Sequence, residues 1–445
     1  MGGICNLENQ EDYRLTLTKN IENELNDEAY RSSCRRSCSK GVPRNRKLSL
    51  INLIFIILNF KTTIQKELDN FFKQVEDHDF SIRQITKGAF SQARAKLEPW
   101  AFKRLNKVAV DTFYEKVDFH KWLGHRVLAI DGTWLRLPKH KSIEQIYGSK
   151  NFGAKASSPV TMAVCSMLYD VLNQISIDAE LGTFTTSEKD LLLKQIDHVK
   201  PGDVLLLDRG YPCFWLLFLL KAKGIDFCVR LKDEWWTEVI RLLAQKQDER
   251  IVKFKLPAKD KHRLEQYPEF QNKEIECRLI KVKLPDGKIE ILCTSLLEQQ
   301  KYKMGEFKQL YHFRWNEEEA YKLLKSRVEL EDWSGKTALA VEQDLQAKIF
   351  LMTLMASYAH PIEEKVRAEY QQGDGRKFGQ KINRTFALAK TVEILIPIFI
   401  RKKIREALIF FDEIIYRTRE IIRPGRSVPR KKKPKKLYHM NYKRF

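Results

Sequence analysis

Two carboxylates, Asp131 and Asp208, each close a four-residue apolar run, residues 127–130 and 204–207. Such runs suit central strands buried on both faces, and a charge at the end of one is costly unless it is paired or binds a cation. Two strand ends brought side by side by a sheet would repel, and a divalent cation removes that conflict. Donors that are all hard oxygens favour Mg2+ or Mn2+ over zinc. No His/Cys set competes for the role. Taken singly, either Asp is more often a strand-end turn residue; the chemistry rests on the pair.

A third element narrows the choice. Tyr311, Arg314, Glu318 and Lys325 fall at offsets of 0, 3, 7 and 14. At about 100° per residue they fit within an arc of roughly 60° on one helix. The opposite face carries Leu310, Phe313, Ala320, Leu323, Leu324 and Val328. One side is therefore core and the other a line of phenol, guanidinium, carboxylate and ammonium. For most helices such a line is only a solvated face. Glu317 and Glu319 flank Glu318, and helical phase selects Glu318 because its neighbours project away from the arc.

The elements that must position these residues read as follows. Residues 48–122 are helical, with apolar spacing of helical period at 48–60 and 65–72. Residues 81–96 look like helix, turn, helix, the second helix offering Ser91, Gln92, Arg94 and Lys96 to phosphates or base edges. A plain helical hairpin with a solvated face fits that segment as well. From residue 126 the pattern turns to strands. Residues 159–168 and 172–181 form an expected hairpin, and 204–207 is followed by a helix at 213–223 and a strand at 227–231. Strands are expected again at 251–256, 275–284 and 289–296, with a turn at Pro285-Asp286-Gly287-Lys288. Helices return at 297–328 and 337–358 and continue into a basic C-terminal region.

At 445 residues, 43% of them hydrophobic, the chain has material for about two to four domains and a sizeable core. Its net charge of +22 suggests a polyanionic partner, nucleic acid or an anionic membrane, or else a soluble protein that happens to be basic. The longest apolar run, 48–60, is broken by Ser49, Asn52 and Asn59 and is short of the roughly 20 residues a span needs. No signal-peptide pattern opens the chain, and Asn6 stands where a myristoylation site wants Ser or Thr; the reading is cytosolic. Among the eight cysteines only Cys34 and Cys38 are close, without a second Cys/His pair for zinc. Cys165, Cys228, Cys277 and Cys293 read as buried, reduced thiols. Seven Lys/Arg and no acid lie between residues 31 and 47, as a DNA-contacting arm or a plain leader. Ten Lys/Arg and no acid lie between 423 and 445.

On these residues the sequence resembles the insertion-sequence DDE transposases of the IS-four type. Asp131-Gly132-Thr133 matches the family's first Asp motif and Asp208-Arg209-Gly210-Tyr211 its second. The family signature Y-x2-R-x3-E-x6-K is complete in Tyr311, Arg314, Glu318 and Lys325. Trp315, the Leu324-Lys325 pair and the run Phe90-Ser91-Gln92-Ala93-Arg94 also look familial. The resemblance extends over nearly the whole chain beyond about residue 43.

The resemblance implies an α/β fold with a ribonuclease-H-like catalytic core, a β-rich insertion and flanking helical regions. It divides the chain into a basic leader (1–47), a helical DNA-binding region (48–122), the core (123–235 and 297–372), the insertion (236–296) and a helical C-terminal region with a basic tail (373–445). It implies Asp131, Asp208 and Glu318 as catalytic residues and ligands of two Mg2+ ions, with Mn2+ as substitute. Tyr311, Arg314 and Lys325 are expected on DNA phosphates, and Arg94 on DNA from the N-terminal region. Trp236, beside Trp235, would stack on an unpaired base or else pack within the insertion. The implied activity is cutting of transposon ends and joining to target DNA. The implied partners are double-stranded DNA, both terminal inverted repeats and target, and a second copy in a synaptic homodimer, with no membrane, in a nucleoid-associated cytoplasmic protein. A catalytically retired DNA-binding descendant and a stand-alone metal-dependent nuclease are the other two readings.

Overall fold

The computed structural model describes residues 12–36, 47–61, 63–81, 83–151, 159–234, 236–284, 287–371 and 377–423. Much of the basic leader, Cys5, Cys38, Trp235, the Pro285-Asp286 turn and the tail beyond Arg423 lie outside the described residues. In chain order the elements are α1 (Tyr13–Asn26), α2 (Glu28–Ser33), α3 (Leu50–Asn59), α4 (Ile64–Val75), α5 (Lys87–Arg94), α6 (Trp100–Lys116), β1 (Val127–Arg136), α7 (Lys141–Tyr147), β2 (Ser149–Lys150), β3 (Val160–Asp170) and β4 (Ile175–Thr183). There follow α8 (Glu188–Gln195), β5 (Val204–Leu207), α9 (Phe214–Ala222), β6 (Asp226–Leu231), α10 (Thr237–Ala244), β7 (Glu249–Lys255), β8 (Glu274–Lys283), β9 (Ile289–Thr294), α11 (Glu306–His312) and α12 (Trp315–Ser326). The last are α13 (Ala338–Gln371), β10 (Gln380–Lys381), α14 (Arg384–Phe399), α15 (Ile404–Arg417) and β11 (Glu420–Ile421). The chain divides into two compact units, one from Met1–Asp118, Leu135–Ala163 and Leu323–Phe445, the other from Phe119–Trp134 and Val164–Lys322.

The first unit is mainly helical. Its axis is α13, which packs against α6, α3, α14 and α15. Val341, Leu345, Ile349, Phe350, Leu354 and Tyr358 are buried along it. The buried ammonium of Lys348 in this unit is paired, as burial demands. The Lys348 ammonium donates to the carbonyls of Leu58 and Phe60 at the end of α3, at 3.3 and 3.0 Å. One expectation is corrected here. Of residues 81–96 only α5 is helical: Thr86 caps it by accepting from the Ala89 N–H at 3.2 Å, and the described residues before Thr86 form no helix. Among the described residues of 81–96 there is no first helix to make a helix, turn, helix.

The second unit holds most of a nine-stranded mixed sheet whose strands run in the order β2-β3-β1-β5-β6-β9-β8-β7, with β4 also paired to β3. β1, β5 and β6 are parallel, with Val127, Leu128 and Ala129 opposite Val204, Leu205 and Leu206. Parallel neighbours need a crossover, and the apolar helix α9 supplies it between β5 and β6. β6, β9, β8 and β7 continue antiparallel. This is an α/β core on a central mixed sheet, carrying a β-rich extension. The extension also holds α10, a helix in the insertion expected to be β-rich. Cys165, Cys228, Cys277 and Cys293 are buried free thiols in β3, β6, β8 and β9. No helix among the described residues is long and apolar enough to cross a membrane.

The helix expected to carry Tyr311 through Lys325 is interrupted. Between α11 and α12 the Arg314 N–H bonds to the Tyr311 carbonyl at 3.2 Å, Asn316 to Phe313 at 2.9 Å and Glu317 to Arg314 at 3.1 Å. These are i to i−3 bonds, tighter than α-helix. Each such residue turns about 20° further than an α-helical one, so α12 is rotated away from the phase of a single straight helix.

Candidate active site

The register of β1 and β5 is what brings the two aspartates together. Asp131 and Asp208 each lie two residues beyond the last paired rung, Ala129 opposite Leu206. An equal offset on adjacent parallel strands places two side chains on the same sheet face at neighbouring positions. Asp131 is thus inside a ten-residue strand, at the level where its pairing with β5 has ended.

Backbone glycines orient both carboxylates. The Gly132 N–H donates to Asp131 Oδ1 at 2.8 Å, and the Gly210 N–H to Asp208 Oδ1 at 2.7 Å. A Cβ on Gly210 would stand 3.0 Å from Asp208 Oδ1. A Cβ on Gly132 would fall on the Glu188 side chain, 2.5 Å from its Cδ and 2.6 Å from its Cγ. The glycines of the two Asp motifs therefore have steric reasons.

Arg314, 8% exposed, reaches across the site. It donates from Nη1 to Asp131 Oδ2 at 3.4 Å and from Nη2 to Glu318 Oε1 at 3.1 Å. Burial works against its charge, but Tyr311, Asp131 and Glu318 outweigh that and hold its pKa above the ordinary value. Its Nε is buried without a partner. Burial, opposed by the Gly132 N–H and reinforced by the charges of Asp208 and Glu318, raises the Asp131 carboxyl from 3.8 to about 6.

Tyr311 is buried, and its hydroxyl faces the Leu207 carbonyl, just before Asp208, at 3.5 Å. It sits behind the site instead of presenting its phenol to a phosphate. Lys325 is half-buried on α12. Glu319 is exposed and pairs with Lys322.

Some residues at the site escaped the sequence reading. Glu317 is fully buried, with neither carboxylate oxygen hydrogen-bonded. Its pKa is driven well up by burial and then by Asp131. The rotation at the α11–α12 junction brings it inward, where straight-helix phase had it pointing away. Glu188, at the start of α8, is raised by burial and then by Asp131 and Asp208. Tyr211 is buried, its hydroxyl unpartnered, and feels Glu188, Asp131, Glu317 and Asp208. Tyr321 donates to the Asp131 carbonyl at 2.7 Å and to the Cys165 carbonyl at 3.4 Å, tying α12 to β1 and β3. Its spacing of four from Glu317 was the available signal.

Two expected DNA contacts are placed elsewhere. Arg94 is 5% exposed and spends its guanidinium on protein: Gln343 Oε1 at 2.6 Å, the Ala340 carbonyl at 2.8 Å, Asp344 Oδ1 at 2.8 Å and Ser334 Oγ. It ties α5 to the start of α13 and holds no phosphate-facing fork, which corrects the expectation. Trp236 stacks on Phe214 with ring centroids 4.6 Å apart and meets Phe254 edge-on at 5.0 Å. Its ring packs between α9 and β7.

Chemically, hard oxygen donors crowd around Asp131 and Asp208, their like charges only partly offset by Arg314. Oxygen donors of this kind suit a divalent cation, and the Asp131 backbone N–H is the donor that bears on buried Glu317. Among the described residues no group of three or more His, Cys, Asp or Glu side chains stands so that it could hold a metal ion.

Comparison with known proteins identifies a family. Residues 122–355, over half of the chain, match the Transposase DDE domain family. The transposase InsG of insertion sequence element IS4 from Escherichia coli (strain K12) is 24% identical over 330 residues, 73% of each chain. The piggyBac transposase in its synaptic complex with hairpin DNA, a cryo-EM structure, is 13% identical with a TM-score of 0.40 over 94% of this chain and 87% of that one. The match over more than half its length makes the chain a member of the DDE transposase family, enzymes that cut DNA and transfer its strands.

Proposed function

We propose that this transposase cuts the ends of an insertion sequence and joins them to target DNA, using Asp131, Asp208 and Glu318 to hold two divalent cations. The observation that carries the assignment is the convergence of Asp131 and Glu318 on Arg314, with Asp208 at the matching position on the adjacent strand. When bound, such ions activate a water or a DNA 3′-hydroxyl and stabilise the leaving oxygen. The Gly132 and Gly210 N–H groups fix one oxygen of each aspartate. Tyr311 and Tyr321 position the strand ends through the Leu207 and Asp131 carbonyls. Arg314 suits a phosphate by its fork and Lys325 as a point charge. No covalent protein–DNA intermediate is needed, so Tyr311 is not a nucleophile.

The rest of the chain would serve this centre. The domain division is proposed as the sequence reading drew it: a helical DNA-binding region at 48–122, a core interrupted by the insertion at 236–296, and a basic C-terminal region. The basic excess would give DNA affinity that falls steeply with salt. Dimeric synapsis of two ends, in the cytoplasm on the nucleoid, completes the proposal.

The test is a Mg2+-dependent assay on DNA carrying the element's own ends. Cleavage and joining by the natural chain, and loss of both in Asp208→Ala, are expected. Binding without cleavage would point to a retired transposase, and cleavage without joining to a nuclease. Full activity in Asp208→Ala would overturn the site.

A further inference from the structure

We infer that Asn316 is a positioning residue for the DNA-cutting reaction: by clamping α12 to the turn between β3 and β4, it sets the rotation at which Glu318 faces Asp131. This rests on the reading above that Glu318 belongs to the site.

A short helix that lies on a sheet by its apolar side chains can roll and slide, because such contacts have no direction. α12 has no continuous helix behind it to prevent this, since the i to i−3 bonds at Arg314, Asn316 and Glu317 separate it from α11. At about 100° per residue, Ala320, Glu317 and Tyr321 stand about 40°, 100° and 140° round the helix from Asn316, and Glu318 about 200°. The first three are buried. Asn316 and Glu318 therefore occupy the two flanks of the face that α12 lays down. With side-chain ends about 6 Å from the axis, a roll of about 20° moves the Glu318 carboxylate by about 2 Å. A misplacement of about 1 Å is enough to cost about 100-fold in rate.

Asn316 holds the flank opposite Glu318. Its Nδ2 donates to the Val171 carbonyl at 2.8 Å. Five residues on, the Tyr321 hydroxyl donates to the Asp131 carbonyl at 2.7 Å. The two bonds leave α12 about 7.5 Å apart along its axis and in different directions round it. Together they oppose both the slide and the roll.

The carbonyl that Asn316 grips is itself held. Asp170 Oδ1 accepts from the Leu172 and Asn173 N–H groups, each at 2.9 Å, and Asp170 Oδ2 accepts from Asn173 Nδ2 at 2.9 Å. Asn173 Nδ2 also donates to the His120 carbonyl at 3.0 Å, and Asn173 Oδ1 accepts from the His120 N–H at 2.7 Å. Asp170 and Asn173 are buried, so these bonds compete little with water. The Val171 N–H donates to the Val127 carbonyl at 3.1 Å, and Val127 opens β1, the strand that carries Asp131. A path of hydrogen bonds thus runs from the helix of Glu318 through Asn316 and Val171 to the strand of Asp131. It does not pass through Arg314, so it holds α12 even while Arg314 is engaged by a phosphate.

The experiment uses the full chain and DNA carrying the element's own ends. Complexes are assembled in EDTA, cleavage is started with Mg2+, and the single-turnover rate is read beside the affinity for the ends. Asn316→Asp keeps the shape and loses the donor; Asn316→Gln keeps an amide donor on a longer arm. Asn316→Asp is expected to cleave about 10- to 100-fold more slowly from the bound complex, with end affinity within about twofold of the natural chain. Asn316→Gln is expected to recover part of that loss. Asn316→Ala replaces Asn316→Asp if the aspartate variant does not fold. A natural rate in the folded donorless variant, a rate that falls only in step with end affinity, or a glutamine variant no faster than the donorless one overturns the inference. Glu318→Gln separates the two levels. If it cleaves as the natural chain does, the parent reading fails; if it is inactive while Asn316→Asp cleaves normally, only this inference fails.

Discussion

Asp131→Asn is expected to stabilise the metal-free protein while abolishing its activity. Burial and the neighbouring charges hold the Asp131 proton up to about pH 6, against 3.8 ordinarily. Between those values the folded chain binds a proton that the unfolded chain has released, so stability falls as pH rises through that window and stays low above it. A rise of about two pH units, at about 1.4 kcal/mol each, puts the cost near 3 kcal/mol at pH 7.5. The Asp131 side chain is 22% exposed, so solvent screening brings the expectation to about 1–3 kcal/mol. Asparagine keeps the acceptor for the Gly132 N–H and removes the charge. Urea unfolding in EDTA should show Asp131→Asn more stable at pH 7.5, with roughly half that gain at pH 5. In Mn2+ the order should close or reverse, because the natural chain gains from the ion and the variant does not. A variant less stable than the natural chain at pH 7.5 in EDTA, or a gain that does not shrink at pH 5, would refute the reasoning.

Further outcomes follow from the same contacts. Arg94→Ala takes the guanidinium from Asp344 and from Gln343 Oε1, leaving the buried Asp344 charge with Ser334, and should cost about 3–5 kcal/mol in urea unfolding. The salt dependence of DNA binding by the surviving folded protein should be unchanged, since Arg94 faces no phosphate. Tyr321→Phe removes the donor to the Asp131 carbonyl and should cost about 1 kcal/mol of stability. It should also slow single-turnover cleavage, with the binding of DNA ends unaffected; equal rates would deny Tyr321 its positioning role.

Sequence patterns made the strands and the aspartates legible because each depends on local chemistry. Apolar runs ending at Asp131 and Asp208 mark buried strands whatever surrounds them. The pairing of those runs is not local, and only the parallel rungs from Val127 to Ala129 against Val204 to Leu206 turn two separate aspartates into neighbours. Glu317 was missed because phase was counted on an ideal α-helix, and the i to i−3 bonds from Arg314 to Glu317 add rotation that no periodicity reveals. Glu188 had no motif of its own; its place depends on Gly132 lacking a side chain. Arg94 misled for the opposite reason: a basic residue on a short helix looks solvent-facing until Asp344, 250 positions on, is seen to claim it.

Arg314 shared between Asp131 and Glu318 also has a thermodynamic meaning. A guanidinium held by the carboxylates that would receive a cation is a tethered competitor for it, always present at high local concentration. Any anion that draws Arg314 away frees those oxygens and tightens cation binding; by reciprocity, a bound cation that releases Arg314 tightens the anion. If DNA phosphate is that anion, substrate and metal promote each other's binding at this centre. Each then holds weakly alone, which would keep a DNA-cutting site quiet away from its proper ends.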